Sequence, residues 1–272
     1  MTPIQSIVLG CVQGATEFLP ISSSGHLVII PFLLGWHFPE QEAFIFNVLV
    51  QLATLLAVIV YFWRDLFEIV RGFLLGLWQK QPFGSLQARL GWYLILATIP
   101  AGLAGLAFKA TIEKAFNSPQ AVACFLLITA ALLLLAEKVG KRTHPLERMN
   151  WVDALIMGLF QVVALLPGVS RSGSTIAGGM LRDLERPAAA RFAFLMSVPV
   201  MLVAGLLETL DLLAMPTFQQ VLLSFIPGFV TAAIVGYLSI HWLLGFLMRR
   251  PLFIFAIYCI GLSLVTLLVY LI

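Results

Sequence analysis

The sequence predicts an all-α polytopic membrane protein with about six transmembrane helices and two re-entrant helical hairpins, arranged as an inverted-topology repeat. Three observations support this fold class: an apolar composition, recurring apolar runs of spanning length, and the placement of the basic residues. The 272 residues are 61% hydrophobic and 11% charged, whereas a soluble domain is about 45–50% apolar and about 25% charged. This composition excludes a water-soluble globule.

Apolar runs of near-spanning length recur along the whole chain, and each is expected to form a helix. A spanning helix needs about 20 apolar residues. The strands of a membrane barrel would alternate over about ten residues, which these runs do not do. The predicted spans are 43–63, 90–108, 119–137, 192–210, 218–247 and 252–272.

The basic residues set the predicted orientation of these spans. Thirteen of the 16 Lys and Arg residues lie in the connections 64–89, 138–150, 182–191 and 249–250, which the positive-inside rule assigns to the cytoplasm. The connections 109–118 and 211–217 are therefore expected outside. Since membrane topology explains the basic residues, the net charge of +3 needs no nucleic-acid partner.

Two segments are too short for two spans, yet this orientation requires each of them to return to the side where it starts. Segment 4–35 must begin and end outside, and segment 151–181 must begin and end inside. Each is therefore predicted to be a re-entrant helical hairpin that enters the membrane part-way, one from each side.

The two hairpin segments also resemble each other in sequence. With a gapless offset of 148 the aligned identities are Gly10/Gly158, Gln13/Gln161, Ser22/Ser170, Ser24/Ser172, Gly25/Gly173, Phe44/Phe192 and Phe46/Phe194. A second similarity pairs "ATIPAG" at 97–102 with "SFIPGF" at 224–229. We therefore predict one membrane domain, 1–272, built from inverted repeats at approximately 1–137 and 150–272, a plan in which short, interrupted segments mark the functional site.

Polar residues are concentrated in the first hairpin, in "QGATEFLPISSSGH" at 13–26. Gln13 and Glu17 are four residues apart and share one helix face. Pro20 is expected to end that helix, and serines 22–24 are favoured caps for a helix that resumes after it. A helix N-terminus of this kind is an anion site.

The second hairpin repeats this pattern in "LPGVSRSGST" at 166–175, where Arg171 stands at the position of Ser23. The two tips are expected to meet in mid-membrane and to bring Glu17, Ser23, His26 and Arg171 together. Glu17 could instead be a structural carboxylate paired with Arg171. Ionisable groups at membrane depth cost several kcal/mol, however, and this cost favours a functional role.

These groups indicate phosphate chemistry. Arg and helix N-termini bind phosphate, and His26, three residues after Ser23, is within reach for proton transfer in phosphoryl or acyl transfer. A carboxylate can hold Mg²⁺ or Ca²⁺ together with phosphate oxygens. The residues alone predict membrane-embedded phosphate chemistry or phosphate transport.

The two motifs resemble the signatures of the bacterial undecaprenyl-pyrophosphate phosphatase family, also called bacitracin-resistance proteins, and the likeness extends over essentially the full chain. The resemblance implies hydrolysis of undecaprenyl diphosphate to the monophosphate and inorganic phosphate, so that the lipid carrier is reused for peptidoglycan synthesis. It also implies a plasma-membrane (inner-membrane) enzyme with its active site facing the periplasmic or outer side. It further implies a divalent cation, Mg²⁺ or Ca²⁺, with Glu17 as a ligand.

The predicted catalytic residues are Glu17, Ser23, His26 and Arg171. The predicted substrate-binding residues are Gln13, Ser22, Ser24, Ser170, Ser172 and Thr175. Two routes stay open: Ser23 attacks with His26 as base, or water attacks after activation by His26 and Glu17. A transporter or flippase of the polyprenyl phosphate carrier is the alternative function. The sequence leaves the oligomeric state open, and it is compatible with a homodimer.

Overall fold

The computed structural model describes residues 1–116, 118–213, 215 and 218–271, with side chains at all of these except 109–116, 211, 219 and 220. The described residues form eleven α-helices and one short 3-10 helix, Leu146–Arg148. The α-helices are α1 (Pro3–Phe18), α2 (Ser23–Leu34), α3 (Glu40–Tyr61), α4 (Trp63–Trp78), α5 (Leu86–Phe116), α6 (Pro119–Val139), α7 (Trp151–Val163), α8 (Arg171–Leu181), α9 (Arg186–Leu213), α10 (Phe218–Leu247) and α11 (Phe253–Leu271).

Six of the described helices are long and apolar enough to cross a membrane: α3, α5, α6, α9, α10 and α11. They correspond one to one with the six predicted spans, and α10 has the predicted bounds. Large apolar side chains are exposed along all six, as expected for helices that face lipid. The all-α, multi-pass membrane class predicted from composition is therefore confirmed.

The predicted connections also contain helix, most of all the connection 64–89. The connection 64–89 includes most of α4, whose exposed apolar residues Phe67, Val70, Leu74 and Trp78 follow a spacing of three to four. Such an amphipathic helix is typical of the membrane interface.

The predicted connection 109–118 begins inside α5, which continues to Phe116 after non-helical backbone at Phe108. Residue 117 of this connection lies outside the described residues. The same holds for residues 214, 216 and 217 of the predicted connection 211–217.

The predicted helix breaks in the two motif segments are confirmed. Ser22 caps α2, where its hydroxyl oxygen accepts from the backbone N–H of Gly25 at 3.2 Å. Ser170 caps α8 in the same way, accepting from Gly173 N–H at 3.0 Å. Both motifs therefore end one helix and begin another with a serine cap, as the proline breaks predict.

The first helix of each motif segment packs on a helix of the other half of the chain. A Cβ atom on Gly10 of α1 would lie 2.3 Å from the carbonyl oxygen of Gly228 on α10, and one on Gly158 of α7 would lie 2.6 Å from that of Ala97 on α5. Gly10 and Gly158, which are aligned in the predicted repeat, thus both make a close backbone contact with a helix of the other half. The re-entry of the hairpins and the inversion of the halves across a membrane remain predictions.

Candidate active site

The turns that precede α2 and α8 are in direct contact. The Gly168 N–H donates to Ser24 Oγ at 3.4 Å, and the Ser172 hydroxyl donates to the Leu19 carbonyl oxygen at 3.0 Å. Gly168 has a positive φ of 98°, and a Cβ there would meet the Val122 carbonyl oxygen at 2.3 Å. Glycine at position 168 is therefore required by this backbone conformation and by the close packing of the turn on α6. The contact between the two turns places two capped helix N-termini side by side.

Glu17 joins the two motifs through both of its carboxylate oxygens. Its Oε1 accepts from Arg171 Nη2 at 2.7 Å. Its Oε2 accepts from the Ser23 hydroxyl at 2.5 Å and from Gln13 Nε2 at 2.9 Å. Three of the four predicted catalytic residues are thus brought together, and Gln13 joins them through its spacing of four residues from Glu17.

The Glu17–Arg171 pair is largely withdrawn from solvent, with 9% of the Glu17 side chain and 20% of the Arg171 side chain exposed. Removing one partner of such a pair costs about 3–5 kcal/mol, because the other charge is left uncompensated. A guanidinium carries five N–H donors. Since Arg171 donates one of these to Glu17, its planar fork retains the donors that recognise a phosphate.

A cavity of about 310 Å³ lies against this pair. Its polar wall contains the predicted residues Gln13, Glu17, Ser22, Ser23, Ser24, Ser170 and Arg171. Its apolar wall includes Leu27 on α2, Leu165 between α7 and α8, and Met201 on α9. The cavity therefore joins an anion-binding surface to an apolar one, which suits an amphiphilic ligand.

Three polar residues of the cavity were missed by the sequence analysis: Asn47 and Gln51 on α3, and Glu208 on α9. Asn47 and Gln51 are four residues apart inside an apolar run, so they share one helix face. Polar side chains at membrane depth favour a functional site, and the signal was therefore present in the sequence. Thr54, one turn further along α3, lies 3.5 Å from Gln13 Nε2.

His26 does not bond Ser23 or Glu17 in this structure. Its side chain is buried, its Nδ1 lies 2.7 Å from the Ser22 carbonyl oxygen, and its Nε2 lies 2.7 Å from the Tyr258 hydroxyl on α11. Tyr258 was also missed by the sequence analysis, and no motif marks it. The predicted His26–Ser23 contact is thus replaced by a contact with the last helix.

Two predicted substrate-binding residues lie behind the cavity wall. Thr175 donates to the backbone oxygens of Arg171 at 2.8 Å and Ser172 at 3.3 Å. The Ser172 hydroxyl, besides its bond to Leu19, lies 3.1 Å from Ser170 Oγ. Both residues are buried and hold the start of α8, whereas Ser170 also borders the cavity.

Comparison with known proteins gives a consistent set of likenesses. A family model described as "Bacitracin resistance protein BacA" matches residues 6–265, which include both motifs. An undecaprenyl-diphosphatase of Thermomicrobium roseum is 46% identical over 274 residues, covering 97% of this chain and 97% of the relative. Proteins of the same name from Moorella thermoacetica and Myxococcus xanthus are 44% and 40% identical over 263 residues, covering 97% of this chain and 96% and 87% of the relatives.

Proposed function

The chain belongs to the BacA family of bacitracin resistance proteins, and from that premise we propose that it is an undecaprenyl-diphosphatase with its reaction centre at the Glu17–Arg171 pair. It hydrolyses undecaprenyl diphosphate to undecaprenyl phosphate and inorganic phosphate. The observation that carries this assignment is the contact of the Ser23 hydroxyl with Glu17 Oε2 at 2.5 Å, beside an arginine and two helix N-termini.

The cavity fits the two ends of such a substrate. Arg171 and the N-termini of α2 and α8 bind the terminal phosphate through charge-assisted and backbone N–H donors. The apolar wall formed by Leu27, Leu165 and Met201 accommodates the first isoprene units. The rest of the tail then lies along the lipid-facing helices.

The geometry favours Ser23 as the nucleophile and Glu17 as its proton acceptor. The Ser23 oxygen forms a bond to the terminal phosphorus, its proton passes to Glu17 Oε2, and the bond from that phosphorus to the bridging oxygen breaks. Undecaprenyl phosphate leaves with the electrons of that bond. Water then cleaves the phosphoserine, Glu17 returns a proton to the Ser23 oxygen, and inorganic phosphate is released, while Arg171 stabilises the charge on the transferring group.

Replacing Ser23 tests this route. In Ser23→Ala we expect phosphate release from undecaprenyl diphosphate in detergent to fall by about 10³-fold or more, because loss of a nucleophile removes the covalent path. Wild-type protein quenched in acid during turnover should carry labelled phosphate on Ser23, and Ser239→Ala on α10 serves as the control. Residual activity within about tenfold of wild type, without any labelled protein, would assign the attack to water.

A divalent cation, Mg²⁺ or Ca²⁺, is also proposed, and the cavity residues fit it. Glu17 and Glu208, with the amide oxygens of Asn47 and Gln51, are the hard oxygen ligands that such ions prefer. Among the described residues no group of three or more His, Cys, Asp or Glu side chains could hold a metal ion. This fits an ion bound through one or two carboxylates and the substrate phosphates, where it would neutralise phosphate charge beside Arg171.

The bacterial plasma membrane, with the cavity open to the periplasmic or outer side, is the proposed location. The basic connections described above support this orientation. The re-entrant hairpins and the inverted repeat belong to the same proposal. The enzyme would then return the lipid carrier to peptidoglycan synthesis. A transporter is not favoured, because the relatives that match nearly the whole chain are named as diphosphatases; a homodimer stays a prediction.

A further inference from the structure

The hydrogen bonds of His26 define its tautomer. A carbonyl oxygen only accepts, so the contact of 2.7 Å with the Ser22 carbonyl oxygen requires that Nδ1 carry the hydrogen. In a neutral imidazole Nε2 is then the acceptor, and it accepts a hydrogen bond from the Tyr258 hydroxyl at 2.7 Å. The two rings are parallel, with centroids 5.6 Å apart and 5° between their planes.

Ser22, whose carbonyl oxygen accepts the hydrogen bond from the His26 ring, has a strained backbone. Ser22 has a φ of 71° and a ψ of 99°, a conformation that costs a non-glycine residue about 1–3 kcal/mol. Its carbonyl oxygen accepts from the His26 backbone N–H at 3.2 Å and from the ring Nδ1. Since Ser23 is the next residue, these bonds fix the direction in which the Ser23 side chain points from the turn.

Helix α11 supports this turn at a second point. Cys259, the residue after Tyr258, is buried, and its Sγ lies 3.9 Å from the Pro20 carbonyl oxygen. Two adjacent residues of α11 therefore contact the chain on both sides of Ser22. The last helix of the protein thus bears directly on the turn that carries the Ser23 hydroxyl.

We infer that His26 and Tyr258 are positioning residues rather than proton carriers in the reaction. Tyr258 holds the imidazole in one tautomer, the imidazole holds the strained Ser22 carbonyl, and the turn so fixed places the Ser23 hydroxyl on Glu17. Both ring nitrogens are engaged in this task, whereas Ser23 already donates to Glu17 at 2.5 Å. The inference rests on the proposed phosphatase function.

The His26→Asn variant separates the two roles of the ring. The asparagine amide N–H stands close to the place of Nδ1 and can donate to the Ser22 carbonyl, but it does not titrate. We expect His26→Asn to keep kcat within about tenfold of wild type and His26→Ala to lose about 10²-fold, as misplaced groups do, with little change in KM. Equal losses of about 10²–10⁴-fold in both variants, as for a missing general base, would overturn the inference.

Tyr258→Phe gives an independent measurement that keeps the ring and removes the hydroxyl. We expect kcat to fall by about tenfold, and to change no further when Tyr258→Phe is combined with His26→Asn, because residues that act through one another are not additive. Tyr270→Phe, on the same helix, is the matched control and should match wild type. Wild-type kcat in Tyr258→Phe would refute the role of α11.

Folding is monitored in parallel by thermal unfolding of the full chain in detergent. If His26→Ala does not fold, His26→Asn and Tyr258→Phe still decide between positioning and proton transfer. Failure of the proposed function is a separate result: the wild-type protein would release no phosphate from undecaprenyl diphosphate. The variant ratios concern the positioning role alone.

Discussion

Glu17 is the residue on which the site depends, because its two oxygens bind side chains from both motifs. Arg171 compensates its charge, and Ser23 and Gln13 complete its hydrogen bonds. In the proposed mechanism the same arginine faces the phosphate, so that one pair would serve both charge balance and catalysis.

Two substitutions of Arg171 separate the contribution of its charge from that of its planar guanidinium geometry. Arg171→Ala should lower kcat/KM by about 10²–10³-fold, as expected for loss of a donor to the transferring group. Arg171→Lys should fall between this variant and wild type, because lysine keeps the charge near Glu17 but lacks the planar fork. Kinetics of phosphate release check this, with Arg249→Ala, in the turn after α10, as the control. Equal activity of the Lys variant and wild type would show that charge alone is used.

The sequence predicts the contacts whose two partners both lie in the motifs, and misses those in which one partner lies outside them. Glu17 and Gln13 follow from helical spacing, and Arg171 from its place in the second motif. The partner of His26 does not, since Tyr258 lies 232 residues away in an apolar helix. Helical periodicity gives the face on which a side chain lies but not the helix that meets it.

At the scale of elements, glycine positions set how closely helices approach. Gly228 on α10 packs against α1 so tightly that an added Cβ would lie 2.4 Å from Ser6 Oγ and 2.6 Å from the Ser6 carbonyl oxygen. Its N–H also donates to Ser6 Oγ at 3.0 Å. The helix that carries Glu17 is therefore positioned by backbone contact with α10.

This contact predicts a difference between two glycines of α10. Gly228→Ala should destabilise the protein by about 1–3 kcal/mol or more, the usual cost of overpacking. In Gly245→Ala the added Cβ meets no described atom within 4 Å, and the stability should be unchanged or slightly higher. Thermal unfolding in detergent measures both variants. Equal shifts in the two would show that the α1–α10 approach is looser than described.

Element boundaries were predictable where proline or charge marks them. Pro20 and the Pro167–Gly168 pair locate the breaks before α2 and α8. Helix α4 lies almost entirely within a predicted connection, because its charged residues indicate a loop whereas the spacing of its apolar residues indicates a helix. The stripe at Phe67, Val70 and Leu74 would have revealed this helix.

At the scale of the whole molecule, a buried carboxylate joins four segments of the chain. The Glu137 side chain is 1% exposed. It accepts from Arg186 Nε at 2.7 Å and Nη2 at 2.5 Å, from Arg142 Nη1 at 2.8 Å, and from the Leu252 N–H at 2.7 Å. These bonds link α6, the connection after it, the start of α9 and the turn before α11.

Glu137→Gln is predicted to lower the free energy of unfolding by about 3–5 kcal/mol, because it leaves two guanidinium groups without their shared carboxylate. Asp65→Asn provides the comparison: its pair with Arg191 is more exposed, at 27% and 47%, and should contribute about 1 kcal/mol or less. Denaturant or thermal unfolding measures both. A cost for Asp65→Asn as large as that for Glu137→Gln would contradict the importance given to burial.

Topology is tested by cysteine labelling in a variant that lacks the exposed Cys11 and Cys124. A cysteine introduced at His37 should react with an impermeant maleimide in intact cells. One introduced at Lys141 should react only after the inner membrane is opened, because its connection is basic. The reverse labelling pattern would show that the protein has the opposite orientation, with the cavity on the cytoplasmic side. The count of spans was predictable from composition, whereas the packing partners of each helix were not.

The separation of Glu17 from Arg171 by 154 residues has a consequence for biosynthesis. The ribosome delivers Glu17 long before its countercharge exists, and an ionised carboxylate alone at membrane depth costs several kcal/mol. In the proposed re-entrant arrangement, the first hairpin therefore remains near the headgroups until Arg171 is inserted. In this proposed arrangement, seating of the second hairpin draws the first one to its final depth, and the proposed reaction centre forms only after the chain has been inserted as far as α8.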